Sequence, residues 1–107
     1  MHVRVARFEG LDAANIDGDI EQFRKMLRSE ERPEWIPEET FKSLRDGVRR
    51  VISLVDRDAG VSIDLTFTDD AASAQRVHEA LDSLSPPDSA GRRASVQTFE
   101  LMLDEQL

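Results

Sequence analysis

Val61-Ser62-Ile63-Asp64-Leu65-Thr66-Phe67 places an apolar side chain at every second position, with Ser62, Asp64 and Thr66 between them. Successive side chains of a strand point to opposite faces, so this alternation predicts a β-strand with one apolar and one polar face. Arg57-Asp58-Ala59-Gly60, just before it, reads as a short turn, and Arg49 to Asp56 carries Val51, Ile52, Leu54 and Val55. Together these pieces predict a β-hairpin. Its first strand is apolar on both sides, which predicts a covering layer on each face of the sheet.

Downstream, Thr68-Asp69-Asp70 reads as the cap of a helix whose buried stripe is Ala74, Val77, Leu81 and Leu84. Ser85-Pro86-Pro87 ends that helix, and Asp88 to Arg93 is a small-residue loop. Val96 to Leu103 then predicts a last strand, with Phe99, Leu101 and Leu103 on one face. Upstream, Pro37-Glu38-Glu39 opens a helix carrying Phe41, Leu44 and Val48, stopped at Asp46-Gly47. An earlier helix is predicted from Asp19 to about Ser29, with Asp19 as N-cap and Gln22 completing a capping box. Glu30-Glu31-Arg32-Pro33 ends it. His2 to Phe8, with Val3 and Val5 two apart, predicts the first strand, stopped at Glu9-Gly10.

The order is strand, broken helix, strand, hairpin, strand, helix, strand. Short connections and right-handed crossovers make this an α+β split βαβ fold, β-α-β-β-α-β, with helices on one face of a four-stranded antiparallel sheet. At 107 residues with no linker, the chain is expected to form a single domain. One helical layer leaves the other sheet face open. An open face with apolar groups on it predicts a homodimer, while Ser62, Asp64 and Thr66 fit a monomer with a half-solvated sheet.

Composition removes several function classes. No cysteine means no disulfide, thiolate metal site or cysteine nucleophile. A net charge of −8 repels nucleic acid and anionic membrane surfaces, so neither is an expected partner. No apolar run is long enough to cross a bilayer. Met1 to Phe8 lacks the apolar stretch of a signal peptide, so the expected compartment is the cytoplasm.

Three segments, Arg4-Val5-Ala6-Arg7-Phe8-Glu9-Gly10, Leu54-Val55-Asp56-Arg57-Asp58-Ala59-Gly60 through Asp70, and Ser95-Val96-Gln97-Thr98-Phe99-Glu100, carry a resemblance across nearly the whole chain. They resemble the dimeric α+β barrel superfamily, especially small stand-alone proteins akin to the antibiotic biosynthesis monooxygenase domain. The resemblance implies a ferredoxin-like protomer, a dimer whose two sheets form a barrel, and a pocket between each sheet and its own helices. The superfamily includes cofactor-free oxygenases of aromatic polyketides, haem-degrading enzymes and members without known activity, so the fold alone does not choose among them. Phe67 stands at the end of strand three, where related sequences often have tryptophan. The asparagine and tryptophan of the haem-degrading branch are missing from the first strand and second helix, and no cofactor is expected.

The candidate ligand-binding residues are Arg7, Trp35, Phe67 and His78. His78, beside Ala74 and Leu81 at the edge of the helix stripe, could act as a general base toward the inter-layer space. The plainer reading is a boundary histidine that packs and hydrogen-bonds. Trp35, between two helical pieces, is either an aromatic lid or a plug in the core, and Phe67 and Phe8 would line or fill the same space. Arg4 and Arg7 have opposite parity on the first strand, so one of them faces a covered side. There it holds an anionic ligand or pairs with Asp64 or Glu100.

No metal site is expected. Asn15-Ile16-Asp17-Gly18-Asp19 resembles a calcium loop only until Ala13 and Arg24 fall where ligating acids belong. H-E-x-x-H, G-x-S-x-G, P-loop and G-x-G-x-x-G motifs are missing, and the chain has no tyrosine. The expected function is a homodimeric α+β barrel protein, non-catalytic or binding a small apolar or aromatic molecule between sheet and helices. The alternative is a cofactor-independent monooxygenase or isomerase acting on an aromatic or polyketide-like substrate. Whether the chain is an enzyme stays open, because no residue set in it demands chemistry.

Overall fold

The hairpin closes as its sequence requires. The Asp56 carboxylate accepts from the backbone N–H of Asp58 and Ala59 at 3.1 Å each, and Gly60 completes the turn at φ +65°. The chain is seen in a computed structural model that describes residues 1–28, 32, 34, 36–84 and 91–107. Its elements are β1 (His2–Glu9), α1 (Ile16–Arg28), α2 (Glu38–Gly47), β2 (Arg50–Asp56), β3 (Val61–Thr68), α3 (Ala71–Asp82) and β4 (Arg92–Glu100). The four strands form one sheet in the order β2-β3-β1-β4, every neighbouring pair antiparallel.

Several boundaries differ from the sequence reading. α1 begins at Ile16, so Asp19 lies in its first turn, donating its N–H to the Asn15 carbonyl at 2.9 Å. Asp12 organises the helix entry instead, accepting from the Ala14 N–H at 3.1 Å and from Asn15 Nδ2 at 2.9 Å. β4 runs from Arg92 to Glu100, earlier than expected, because it pairs with all of β1 and absorbs one extra residue opposite the Arg7/Phe8 step. Leu101 and Leu103 therefore fall beyond it, although the Leu101 N–H still reaches the Met1 carbonyl at 2.8 Å. The cap of α3 is as read: Asp70 accepts from the Ser73 N–H at 2.7 Å. Trp35, the Glu30–Pro33 stop and the Ser85-Pro86-Pro87 stop fall wholly or in part outside the described residues.

Register decides which side chains share a face. His2, Arg4, Ala6 and Phe8 of β1 lie level with Ser62, Asp64, Thr66 and Thr68 of β3, and these with Val51, Ser53 and Val55 of β2. This mostly polar side faces α3: Arg4 bonds to His78, and Arg93, level with Phe8, pairs with Asp82. Ser62, Asp64 and Thr66 are thus turned toward the helices, and the half-solvated reading of that polar set does not hold. The other side carries the rows Arg50-Phe67-Val3-Phe99 and Ile52-Leu65-Val5-Gln97. On that side Leu54 is 52% and Phe99 47% exposed.

With a polar sheet face beneath them, the helices build their apolar core against each other. Leu44, Val77 and Ala80 are buried together, flanked by Val48, Leu81 and Leu84. Gly47 is what lets α2 approach α3, since a Cβ there would lie 2.5 Å from Val77 Cγ2. Gly18 in α1 has open space around it. Gly47→Ala is therefore expected to destabilise the fold by about 1–3 kcal/mol through overpacking. Gly18→Ala is expected to stabilise it by about 0.5–1 kcal/mol. Urea unfolding of the two variants beside wild type checks the opposite signs.

Candidate functional site

A charged cluster lies between the sheet and α3. β1 and β3 place Arg4 and Asp64 on the same face as diagonal neighbours, since Arg4 pairs with Thr66 and Ala6 with Asp64. Ser53 on β2 is level with Asp64 and donates its hydroxyl to Asp64 Oδ1 at 2.7 Å. His78 descends from α3, and its Nδ1 accepts a hydrogen bond from Arg4 Nε at 3.2 Å. Arg4 is only 6% exposed. Among the described residues its Nε alone has a protein acceptor. Neither terminal nitrogen is a buried atom without a partner, so both reach solvent, where water or a ligand oxygen can meet their donors.

Electrostatics follow from burial. Desolvation lowers the Arg4 pKa from its ordinary value, Arg93 adds like-charge repulsion, and Asp82 and Asp64 act in the opposite sense. Desolvation raises the Asp64 pKa, opposed by the Ser53 hydrogen bond and by the charge of Arg4. Asp82, at the exposed end of α3, is held low, chiefly by its hydrogen bond from Arg93. Perturbed ionisable groups clustered in an inter-layer space are a mark of functional sites. The bond from Arg4 also bears on His78: Nδ1 can accept only when it carries no proton, so the neutral ring presents Nε2–H as a donor. The ring in that state offers a hydrogen-bond donor at Nε2.

The sequence-predicted residues divide between the two faces. His78 is in the cluster. Arg7 lies on the open face with Ile63 beside it, its Nε 3.6 Å from Glu9 Oε1 in a half-exposed ion pair. Phe67 is also on that face, buried, with the Arg50 guanidinium 5.6 Å above its ring. Trp35 is outside the described residues. Phe8 and Phe67 therefore do not share a cavity. Arg4 and Asp64 were missing from the candidate ligand set. The signal for Arg4 was parity: Arg7 keeps the phase of Val3 and Val5, while Arg4 keeps that of Ala6.

Among the described residues no group of three or more His, Asp or Glu side chains could hold a metal ion, and no helix is long and apolar enough to cross a membrane. Compared with protein-family models, curated proteins and solved structures, the chain matches none of them.

The raised Asp64 pKa sets a pH dependence. The native state binds this proton more tightly than the unfolded chain does. Its stabilising contribution is therefore greatest at low pH and is lost as pH rises from the unfolded value, about 3.9, through the raised folded one. Asp64→Asn, neutral throughout, is expected to melt above wild type near pH 7, with the difference closing below about pH 4. Thermal melts across that range check it, and a variant melting lower near pH 7 would mean that attraction to Arg4 outweighs burial.

Proposed function

We propose that the chain acts as a homodimer that binds a small molecule between sheet and helices. The ligand has an aromatic or apolar body and one acidic oxygen, which the Arg4 guanidinium receives. The observation that carries this reading is an inter-layer arginine, aligned through Nε by His78, whose terminal nitrogens have no protein acceptor among the described residues and reach solvent, where a ligand oxygen can meet them. Guanidinium groups bind planar oxyanions through paired donors. Phe8, Val51 and Val55 share the face with Arg4 and supply apolar wall for the rest of the ligand.

The dimer follows from the other face. A sheet that turns Ser62, Asp64 and Thr66 inward carries Ile52, Leu54, Ile63, Leu65 and Phe99 on its other side, with Leu54 and Phe99 about half exposed to water. A second copy laid face to face covers it. The β2-β3-β1-β4 strand order supports a ferredoxin-like protomer, and pairing two such sheets gives the dimeric α+β barrel. Arg7 and Phe67 then belong to the interface. Cofactor-independent oxidation or isomerisation remains the catalytic extension. It needs a base beside Arg4, and Asp64, with its raised pKa, is better placed for it than His78, whose free nitrogen carries the proton.

Two measurements test the reading. Light scattering is expected to give twice the chain mass, and Leu65→Glu, which sets a charge in the middle of the open face, is expected to give a folded monomer. A wild-type monomer overturns the assembly. In a thermal-shift screen of aromatic acids, phenols and enols, one class is expected to stabilise the protein by about 2.7 kcal/mol at a hundredfold excess over Kd. Arg4→Met is expected to abolish that shift and Arg7→Met to keep it. A shift surviving Arg4→Met would remove the site from between the layers.

A further inference from the structure

The large apolar side chains that stand exposed on this protein are gathered in one region. Among the described residues they are Met1, Leu54, Phe99, Met102, Leu103 and Leu107. Leu54 and Phe99 lie on the open side of the sheet. The other four belong to the segments that enter β1 and leave β4 at one end of that sheet, and none of the six is on a helix. Residues 101–107 carry three of them, with Met102 81% and Leu103 78% exposed and Leu107 fully so. Apolar surface concentrated in this way marks an interaction site.

The segment has a defined position. The Leu101 N–H donates to the Met1 carbonyl at 2.8 Å, and Asp104 lies 4.0 Å from Arg50. Arg50 stands on β2 in the row Arg50-Phe67-Val3-Phe99, its guanidinium over the Phe67 ring, so the segment crosses from β4 to β2 along one end of the open side. Beyond Leu101 no backbone group of the segment bonds to another of the described residues. Charge does not keep a second copy away. The register puts Arg7, Arg50 and Arg92 on this side with Glu9 and Asp56, and Asp104 brings the acids level with the bases. The surplus of acid behind the net charge of −8 lies mainly elsewhere, so two such sides meet without strong repulsion.

We infer that residues 101–107 form an arm that each copy lays on the other, burying Met102, Leu103 and Leu107 at the border of the dimer. The inference rests on the face-to-face dimer proposed above and adds the part of the chain that holds the partner. Sedimentation of the full chain over a dilution series gives the dimer Kd. Met102→Ser/Leu103→Ser/Leu107→Ser is expected to weaken it by about a hundredfold or more, as three apolar side chains stay in water. A wild-type dimer whose Kd those changes leave alone overturns the arm and keeps the dimer. A wild-type monomer at every concentration overturns the dimer, and the arm with it. The chain has no cysteine, so Leu103→Cys supplies a unique thiol for a benzophenone label. Irradiation is expected to join two chains covalently, and the same label at Lys25→Cys, an exposed position of α1, to join none. A label at Leu103→Cys that reacts only within its own chain overturns the inference, and so does equal joining from both positions.

Discussion

Period-two alternation ties every side chain of a sheet to one of two faces, and antiparallel register carries the assignment from strand to strand. Once Arg4 lies on the α3 side, Ala6, Asp64, Thr66 and Ser53 must lie there too. Val3, Val5, Ile63, Leu65 and Ile52 must then lie on the other. A slip of one residue in β1 would exchange every member of its two sets. The Gly60 carbonyl, which accepts from the Leu11 N–H at 3.0 Å, ties the end of β1 to the β2–β3 turn and opposes such a slip. At the other edge Gly91 has φ +78°, and a Cβ there would run into the Glu9 carbonyl. The conformation and the close approach both require glycine where β4 begins.

From that allocation comes an uneven distribution of apolar packing. α2 and α3 bury Leu44, Val77 and Ala80 against each other, whereas α1 buries Ile16 and leaves Ile20, Phe23, Met26 and Leu27 only partly covered. What ties α1 down is mostly polar: Arg57 bonds Asp17 in a fully exposed pair, and Arg45 reaches the Leu27 carbonyl. Exposed pairs of this kind contribute little to stability.

Local signals were legible in the sequence and global orientation was not. The β3 alternation, the Arg57–Gly60 turn, the Asp70 cap and the Ala74–Val77 stripe each depend on a few neighbouring residues, and each is found where it was read. The start of α1 was misread because Asp19 followed by Gln22 satisfies a capping box, while Asp12 does the work four residues before Ile16. β4 was read late because Arg92, Arg93 and Ser95 have no strand propensity of their own, and pairing with β1 overrides that. The facing of the sheet was beyond local reading, since an apolar face toward helices and an apolar face toward another sheet give the same alternation. The site was therefore half legible: His78 could be found from the helix stripe, whereas Arg4 and Asp64 needed the answer to which face was covered.

The polar layer is costly where it stands, and that cost bears on function. Asp64 loses hydration that one hydroxyl and a nearby guanidinium do not fully replace, which is why its pKa rises. Arg4 is partly desolvated, with a single protein acceptor among the described residues. An apolar pair at these positions would pack against α3 without either penalty, and buried ion pairs replaced in that way often leave a protein more stable. Ser62, Thr66 and Thr68 on the same face show that the polarity extends along the strand and is no isolated defect. A layer that gives up apolar packing in this way is what the proposed binding role asks for: a guanidinium aligned by His78, with its terminal donors reached by solvent and Asp64 on the same face.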